Sequence, residues 1–265
     1  MNIKSPLPSL GRIKMPALPE VFARINDTVN DPRASLSDIA PIIEQDVGLT
    51  ALLLRIVNSA FYGFPSQIET IARAITIVGT QQLGDLVLAT SVVKVFRGIS
   101  QDLLNMESFW RHSLACGITA RILSTLRHDG NGERLFVAGI LHDIGRLLIC
   151  MDRNAEAREI LQQSLEGKRP THQIEMEILE YDHTAVGGAL VEEWNLPVSL
   201  HEAVAHHHSP LDAVHHPVEV AIIHVADIIT HAMQLGNSGS PYVPPFELQA
   251  WERLGLPLGA LSFAI

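Results

Sequence analysis

The sequence predicts an all-α protein, and three observations support that fold class. Apolar residues recur at spacings of three and four along almost the whole chain, whereas strict alternation is rare. Residues that start or stop helices bound most of the apolar segments. The chain has 265 residues, 47% of them hydrophobic, which is enough to bury one large core or two smaller ones.

Residues 1–100 are predicted to form a helical N-terminal half. The Pro-rich residues 6–19 suggest an extended lead-in. A first helix is predicted from Pro19-Glu20 to about Asn30, Ser35 with Asp38 would cap the next, and VGLTALLLRIVNSAFYG would be a helix that ends at Gly63. Thr70 and Thr80 are predicted as the N-caps of a short helix and of a long one to about Phe96, with Gly79 between them as a C′ residue. This half holds no concentration of His or acidic residues that resembles a catalytic set.

Residues 101–236 are predicted to form a second helical half, which contains most of the histidines. The pattern places helices at about 106–126, 133–151, 154–167, 172–180, 183–194, 199–208 and 217–234. Ser199-x-x-Glu202 has the spacing of a capping box, and Gly187-Gly188 would let its helix pack closely against a neighbour. Residues 237–265 are predicted to be a tail with one short helix around 248–254.

The composition excludes several functions. A net charge of −10 leaves no basic stripe to neutralise phosphates, so nucleic acid is a poor partner. The two cysteines, Cys116 and Cys150, exclude a disulfide scaffold and a Cys-based zinc site, and they fit a reducing compartment. Without a signal-peptide pattern or a run of about 20 apolar residues, we expect a cytoplasmic protein with no membrane partner.

The stretch GILHDIGRLLI, residues 139–149, places His142 and Asp143 inside an apolar, helix-forming sequence. The pair is expected to be at least partly buried, and a buried carboxylate needs charge compensation. Three interpretations are open: a metal site that does chemistry, a remnant of one, or a hydrogen-bonded pair in a core. The dipeptide alone is not specific, because His128-Asp129 is also HD and lies in the polar loop RHDGNGE.

Other polar residues occupy positions that are expected to face inward. Asp227 lies in VEVAIIHVADIITHA, which is apolar nearly all round, with His224 and His231 as local partners. His183 projects from an apolar face, and His112 shares a face with small residues. Each of these positions is compatible with an ordinary hydrogen-bonded side chain.

Three consecutive histidines, residues 206–208, end a further helix and could simply be solvated. Taken together, however, five helices carry His or Asp at inward positions, and no surplus of buried Lys or Arg is expected to neutralise the acids. A shared cation would satisfy all of these groups. Nitrogen and oxygen ligands suit iron, manganese, zinc, nickel or magnesium rather than a soft thiolate metal.

The order of the motifs resembles the HD superfamily of metal-dependent phosphohydrolases, and more closely its HDOD branch of bacterial signalling proteins. The motifs of the first half are NDPRASLSDIAPIIEQDVGLTALLLRIVNSAFYG and AITIVGTQQLGDLVLA. Those of the second half are FWRHSLACG, LHDIGRLL, EYDHTAVGGALVEEWNLP, VAHHHSP, HVAD and VPPFELQAWERLGL. The resemblance implies an HD-like helical bundle with the N-terminal helical half packed against it.

The resemblance also implies two sets of ligands for divalent ions: His112, His142, Asp143 and Asp227 for the first, and Asp143, His183, His207 and His208 for the second. Asp143 would bridge the two ions. Arg146, where related hydrolases usually have Lys, would hold a phosphate oxygen, so Asp143 and Arg146 would be the catalytic pair. The implied chemistry is hydrolysis by a metal-activated water.

One departure argues against hydrolysis of cyclic-di-GMP. The superfamily members with that activity carry Gly-Tyr-Pro after the paired histidines, whereas here SPLDAVHHP follows His208. The first hypothesis is therefore a signalling output module that binds partner proteins or a small phosphorylated ligand. The second is a phosphohydrolase acting on a nucleotide or another small phosphoester, and the third is a structural helical domain.

Overall fold

The computed structural model describes residues 13–260 apart from 32, 34, 61, 97, 168 and 241. The predicted all-α fold is confirmed, since no strand is present among these residues. The chain divides into two compact units, residues 16–97 and a unit of residues 1–15 and 98–265. No helix of the described part combines the length and the apolar composition needed to cross a membrane. Half of the predicted lead-in, residues 6–12, and the end of the tail, residues 261–265, lie outside the described residues.

The described residues of the unit 16–97 form five α-helices: α1 (Glu20–Asn30), α2 (Leu36–Glu44), α3 (Val47–Val57), α4 (Ile71–Val78) and α5 (Thr80–Val95). Local signals start most of them as predicted. Ser35 and Asp38 form the capping box of α2, and the Thr70 hydroxyl accepts the Arg73 N–H of α4. Apolar residues on one side of each helix form the core, with Ile43, Leu53 and Leu86 fully buried.

Two predicted boundaries in this unit are wrong. Helix α3 ends at Val57 and not at Gly63, because Asn58 ties the chain to a later segment. The Asn58 amide donates to the Leu54 and Ile68 carbonyls at 2.8 and 2.7 Å, and its oxygen accepts the Ile68 N–H at 2.7 Å. Thr80 is the first residue of α5 rather than its cap, because Gly79 (φ 102°) occupies that position.

The second unit contains nine α-helices among its described residues: α6 (Met106–Arg127), α7 (Gly132–Leu141), α8 (Ile144–Asp152), α9 (Asn154–Gly167), α10 (Thr171–Leu179), α11 (His183–Glu193), α12 (Val198–His206), α13 (Pro217–Ala232) and α14 (Leu248–Leu254). Helix α6 packs against α7 and α13, whereas α11 packs against α8 and α12. Helices α12 and α13 end about two residues earlier than predicted. These contacts bring the middle of α6, the start of α11 and the end of α12 towards the α7–α8 junction.

The predicted continuous helix over 133–151 is wrong, because it is interrupted at His142 and Asp143. In a continuous helix the Gly139 carbonyl would accept the N–H four residues later. It instead lies 2.7 Å from Nδ1 of His142. Helix α7 therefore ends at Leu141, and α8 starts at Ile144 after Asp143, whose φ of −97° and ψ of 10° are not helical.

The predicted capping box Ser199-x-x-Glu202 is also wrong, because Pro197 is the N-cap of α12 and no side chain caps that helix. The Glu202 carboxylate instead accepts the backbone N–H groups of Val214, His215 and His216. The Glu202 side chain, which the local pattern assigned to a helix cap, therefore makes a long-range contact instead.

Two glycines allow α8 and α11 to approach closely. A Cβ on Gly145 would collide with the His183 carbonyl and would lie 2.6 Å from the Gly187 nitrogen. A Cβ on Gly187 would lie 2.7 Å from the Val204 side chain on α12. The predicted close packing of this glycine-containing helix is confirmed, and it holds His183 next to the start of α8.

Candidate metal centre

The second unit brings together all seven residues predicted as metal ligands. They come from five places: the middle of α6, the α7–α8 junction, the first residue of α11, the residues just after α12, and α13. Only His208 is partly exposed. The other six are exposed by no more than 2%: His112, His142, Asp143, His183, His207 and Asp227. The structure thus forms one buried cluster of imidazoles and carboxylates.

One side of this cluster is built by His112, His142, Asp143 and Asp227. Nε2 of His112 lies 3.1 Å from Oδ1 of Asp227, and 3.9 Å from Oδ2 of Asp143. Nε2 of His142 lies 3.4 Å from the same two carboxylate oxygens. One donor atom each from His112, His142 and Asp143 lie within 4.8 Å of one another, a spacing that suits a shared cation.

The tautomer of His142 supports such a cation. Its Nδ1 lies 2.7 Å from the Gly139 carbonyl, which can only accept, so that nitrogen carries the proton. The other nitrogen, Nε2, faces an oxygen of each of two carboxylates. Burial lowers the pKa of His142, but Cys116 and Asp143 raise it well above its usual range, so this position favours a positive charge. Within the described residues, Nε2 of His142 and Oδ2 of Asp143 have no hydrogen-bond partner. A histidine whose other nitrogen donates to a carbonyl is the usual arrangement of a metal ligand.

The other side of Asp143 faces the remaining histidines. Its Oδ1 lies 3.0 Å from Nε2 of His183 and 3.7 Å from Nε2 of His207. Donor atoms of Asp143, His183, His207 and His208 lie within 4.8 Å of one another. Nδ1 of His207 donates to the Val204 carbonyl at 2.9 Å, which again turns Nε2 towards the carboxylate.

Arg146 is part of this second side. Its Nε donates to Oδ1 of Asp143 at 3.0 Å, and its Nη2 lies 3.4 Å from Nε2 of His183. Nη1 contacts the Thr171 hydroxyl and lies 3.8 Å from Oε1 of Glu175. The expectation that no buried cation neutralises the acids is therefore wrong, because Arg146 is only 5% exposed.

The surroundings keep both aspartates ionised. Burial raises the pKa of the Asp143 carboxyl, but Arg146 and His142 hold it well below its usual range. Burial likewise raises the pKa of Asp227, and His231 and His112 hold it well below its usual range. Two buried negative charges therefore share the cluster.

The histidines divide into two kinds. Burial lowers the pKa of His207 and, more strongly, that of His208, so both are neutral imidazoles, the form that binds metals. For His183, burial and Arg146 lower the pKa, but Glu175 and Asp143 raise it to about 9.

Sequence reasoning misses two residues next to the cluster and identifies a third, His231, only as a local partner of Asp227. Glu175, from α10, accepts from Nδ1 of His183 at 2.6 Å and from its backbone N–H at 2.8 Å. His172 stacks on His208 with ring centroids 4.2 Å apart. His231 lies 2.9 Å from Oδ1 of Asp227. The pairing of Asp227 with His231 that the i,i+4 spacing predicts is confirmed, whereas nothing in the sequence around Glu175 or His172 points to the site.

The other polar residues considered from sequence lie elsewhere. His224 donates from Nδ1 to the His207 carbonyl at 2.7 Å and accepts the Glu247 N–H at 3.0 Å, so it supports the backbone of a ligand candidate. His128 has a left-handed φ of 61°, and Asp129 pairs with Arg127. As predicted, this second HD pair belongs to a loop.

Comparison with known proteins identifies one family. The family model of the HDOD domain matches residues 15–210, a range that contains every candidate ligand except Asp227. An uncharacterized protein of Treponema pallidum (strain Nichols) is 25% identical over 198 residues, which are 74% of this chain and 38% of that protein. The chain therefore spans about two fifths of the length of this curated relative.

Solved structures show the same fold. An HDOD domain protein of unknown function from Geobacter sulfurreducens has a TM-score of 0.77 at 26% identity, with 94% of this chain and 85% of that chain covered. A candidate phosphohydrolase from Shewanella amazonensis SB2B has a TM-score of 0.78 at 23% identity, with 98% and 93% covered. A candidate metal-dependent phosphohydrolase from the same organism has a TM-score of 0.68 at 24% identity, with 93% and 85% covered.

Proposed function

The chain belongs to the HDOD domain family, and from that premise we propose that it is a signalling output module that binds a divalent metal ion. The ion would be a structural or sensing element, and the output would be an interaction with a partner signalling protein in the cytoplasm. The observation that carries the metal site is the position of Nε2 of His142, which lies 3.4 Å from an oxygen of each of two buried carboxylates while the other ring nitrogen faces a carbonyl.

The ion would be held by His112, His142, Asp143 and Asp227. Two carboxylates and two imidazoles form a donor set that suits a first-row divalent metal such as manganese, iron, nickel or zinc, and also magnesium. A cation there would contact both buried carboxylates and contribute positive charge between them.

Two features favour binding without turnover. The four proposed ligands are at most 2% exposed, whereas a catalytic metal needs an open position for water and substrate. The guanidinium of Arg146, expected from sequence to hold a phosphate oxygen, is engaged by Asp143 and Thr171. The absence of Gly-Tyr-Pro from the sequence adds an argument against cyclic-di-GMP as a substrate.

A second candidate is a phosphohydrolase for a nucleotide or another small phosphoester. It is favoured by His208, whose partly exposed ring has no hydrogen-bond partner on either nitrogen among the described residues. The name of the Shewanella candidate metal-dependent phosphohydrolase points the same way. In this case two ions would activate a water, and Asp143 and Arg146 would be the catalytic pair.

Metal content and thermal unfolding test the proposed site. We expect a divalent metal to co-purify, and a chelator to lower the melting temperature. At an ion concentration about 100 times Kd, binding adds about 2.7 kcal/mol, which is several degrees for a protein of this size. His142→Ala should lower the melting temperature more in metal-loaded than in chelated protein.

The matched control is His128→Ala, the histidine of the loop HD pair, which should have the same effect in both conditions. If His142→Ala also lowers the melting temperature by the same amount with and without metal, His142 is not a ligand. A phosphoester panel with Mn²⁺, Fe²⁺, Ni²⁺ or Mg²⁺ then separates the two functions. Enzyme-like turnover that is lost in Asp143→Ala would replace the regulatory proposal with the hydrolase.

A further inference from the structure

The two oxygens of Asp143 face different cations. Oδ2 faces His142 at 3.4 Å and His112 at 3.9 Å, on the side of the proposed metal ion. Oδ1 faces away from that side and accepts from Nε of Arg146 at 3.0 Å. The carboxylate that would bridge two metal ions in the implied dimetal site here bridges one ion site and a guanidinium.

Arg146 also engages a second donor of that implied site. Its Nη2 lies 3.4 Å from Nε2 of His183, so the guanidinium contacts two of the four groups that would ligate a second ion. A metal ion bound to Oδ1 of Asp143 at about 2.0–2.2 Å would have to share that oxygen with a permanently charged group. Two positive charges at such a distance, in a buried site, repel strongly.

The guanidinium is fixed in this position from its other end. Nη1 contacts the buried Thr171 hydroxyl and lies 3.8 Å from the buried carboxylate of Glu175. Both residues come from α10, so the orientation does not depend on Asp143 alone. Moving Arg146 aside would leave Glu175 with a weaker countercharge.

We propose that Arg146 takes the place of the second metal ion, so that the site binds one divalent ion and uses the guanidinium as its second positive centre. His183 and Glu175 then position Arg146 instead of serving a metal. This inference rests on the proposed metal site. Under it, Arg146 replaces a metal ion in the site instead of contacting a phosphate, as the sequence suggested.

The test is the number of Mn²⁺ ions bound per chain, measured on the full chain by equilibrium binding with elemental analysis. We expect one ion for the wild type and two for Arg146→Ala, in which Asp143, His183, His207 and His208 are released to bind a second. Electron paramagnetic resonance adds an independent readout, because two neighbouring Mn²⁺ ions give an exchange-coupled signal that a single ion lacks.

The matched control is Arg158→Ala, which removes an exposed arginine paired with Asp102 and should still bind one ion. If Arg146→Ala does not fold, Arg146→Met serves instead, because it keeps an apolar side chain of similar length without the charge. The number of ions bound by the wild type tests the inference independently of both variants. Two ions in the wild type, or one in a folded Arg146 variant, would overturn the inference. No ion in the wild type would instead refute the proposed metal site.

Discussion

Glu202 makes a contact that a single substitution can test. Its carboxylate is 5% exposed and accepts N–H groups from three consecutive residues, Val214 at 3.2 Å, His215 at 3.0 Å and His216 at 2.6 Å. These residues immediately precede α13, which carries Asp227, whereas Glu202 lies on α12, a few residues before His207 and His208. The contact therefore fixes the connection between two ligand-bearing helices.

The cost of losing this contact follows from the number of donors. A hydrogen bond to a charged group contributes about 1.5–3 kcal/mol, and a buried donor left without a partner adds a desolvation penalty. The sum of the three hydrogen-bond contributions is an upper limit. The three N–H groups share one carboxylate, and water can enter the space that the side chain leaves in Glu202→Ala. We expect Glu202→Ala to lower the free energy of unfolding by about 3–5 kcal/mol.

Ser199→Ala is the matched control, because the capping-box interpretation assigned both residues to the same motif. If Ser199 capped α12, its loss would cost about 1 kcal/mol. Since Pro197 is the observed cap, we expect a change of less than about 0.5 kcal/mol. Urea unfolding followed by tryptophan fluorescence suits both variants, because Trp110, Trp194 and Trp251 all lie in the second unit.

The pH dependence gives a second check on Glu202. Burial raises the pKa of its carboxyl, but the three backbone N–H groups lower it below the ordinary value of 4.5. The contribution is therefore complete above about pH 4.5 and is lost as the pH falls through the lowered value. The difference between wild type and Glu202→Gln should shrink in that acidic range. A pH-independent difference, or a larger loss for Ser199→Ala than for Glu202→Ala, would refute this reasoning.

Two further substitutions test packing and a long-range tie. Gly145→Ala would push a methyl group into the His183 carbonyl, and we expect a loss of about 1–3 kcal/mol by urea unfolding, whereas Gly259→Ala, with open space around it, should be neutral. Asn58→Ala removes three hydrogen bonds to Leu54 and Ile68, and we expect faster hydrogen exchange at the Ile68 amide and a loss of about 1–3 kcal/mol. Unchanged exchange would show that Asn58 does not hold this segment, and equal losses for the two glycine variants would contradict the close approach of α8 and α11.

The fold was predictable from the sequence wherever local signals decide it. Periodicity places nearly every helix, and Ser35 with Asp38 and Thr70 start helices as capping chemistry requires. Errors arose where a distant contact overrode a local signal. Asn58 bonds Ile68 instead of continuing α3, and Glu202 bonds the segment before α13 instead of capping α12. A pattern within one helix carries no information about such partners.

The candidate site was predictable in its residues but not in its charge balance. The order of the HD-type motifs named seven ligands, and the structure brings all seven together. The role of Arg146 required coordinates. Its i,i+3 spacing from Asp143 allows an ion pair, but only the tertiary structure places Thr171 and Glu175 of α10 around the guanidinium.

The helix break and the proposed metal site meet at His142. Helix α7 ends at Leu141, and the contact between Nδ1 of His142 and the Gly139 carbonyl turns Nε2 towards Asp143 and Asp227. A core pair would gain nothing from this arrangement, because it interrupts a helix and buries two carboxylates where apolar residues would be at least as stable. A cation in the space between those atoms would make this arrangement favourable. Arg146 serves one oxygen of Asp143 from its position on α8, and the other oxygen, with Asp227, faces the proposed metal ion.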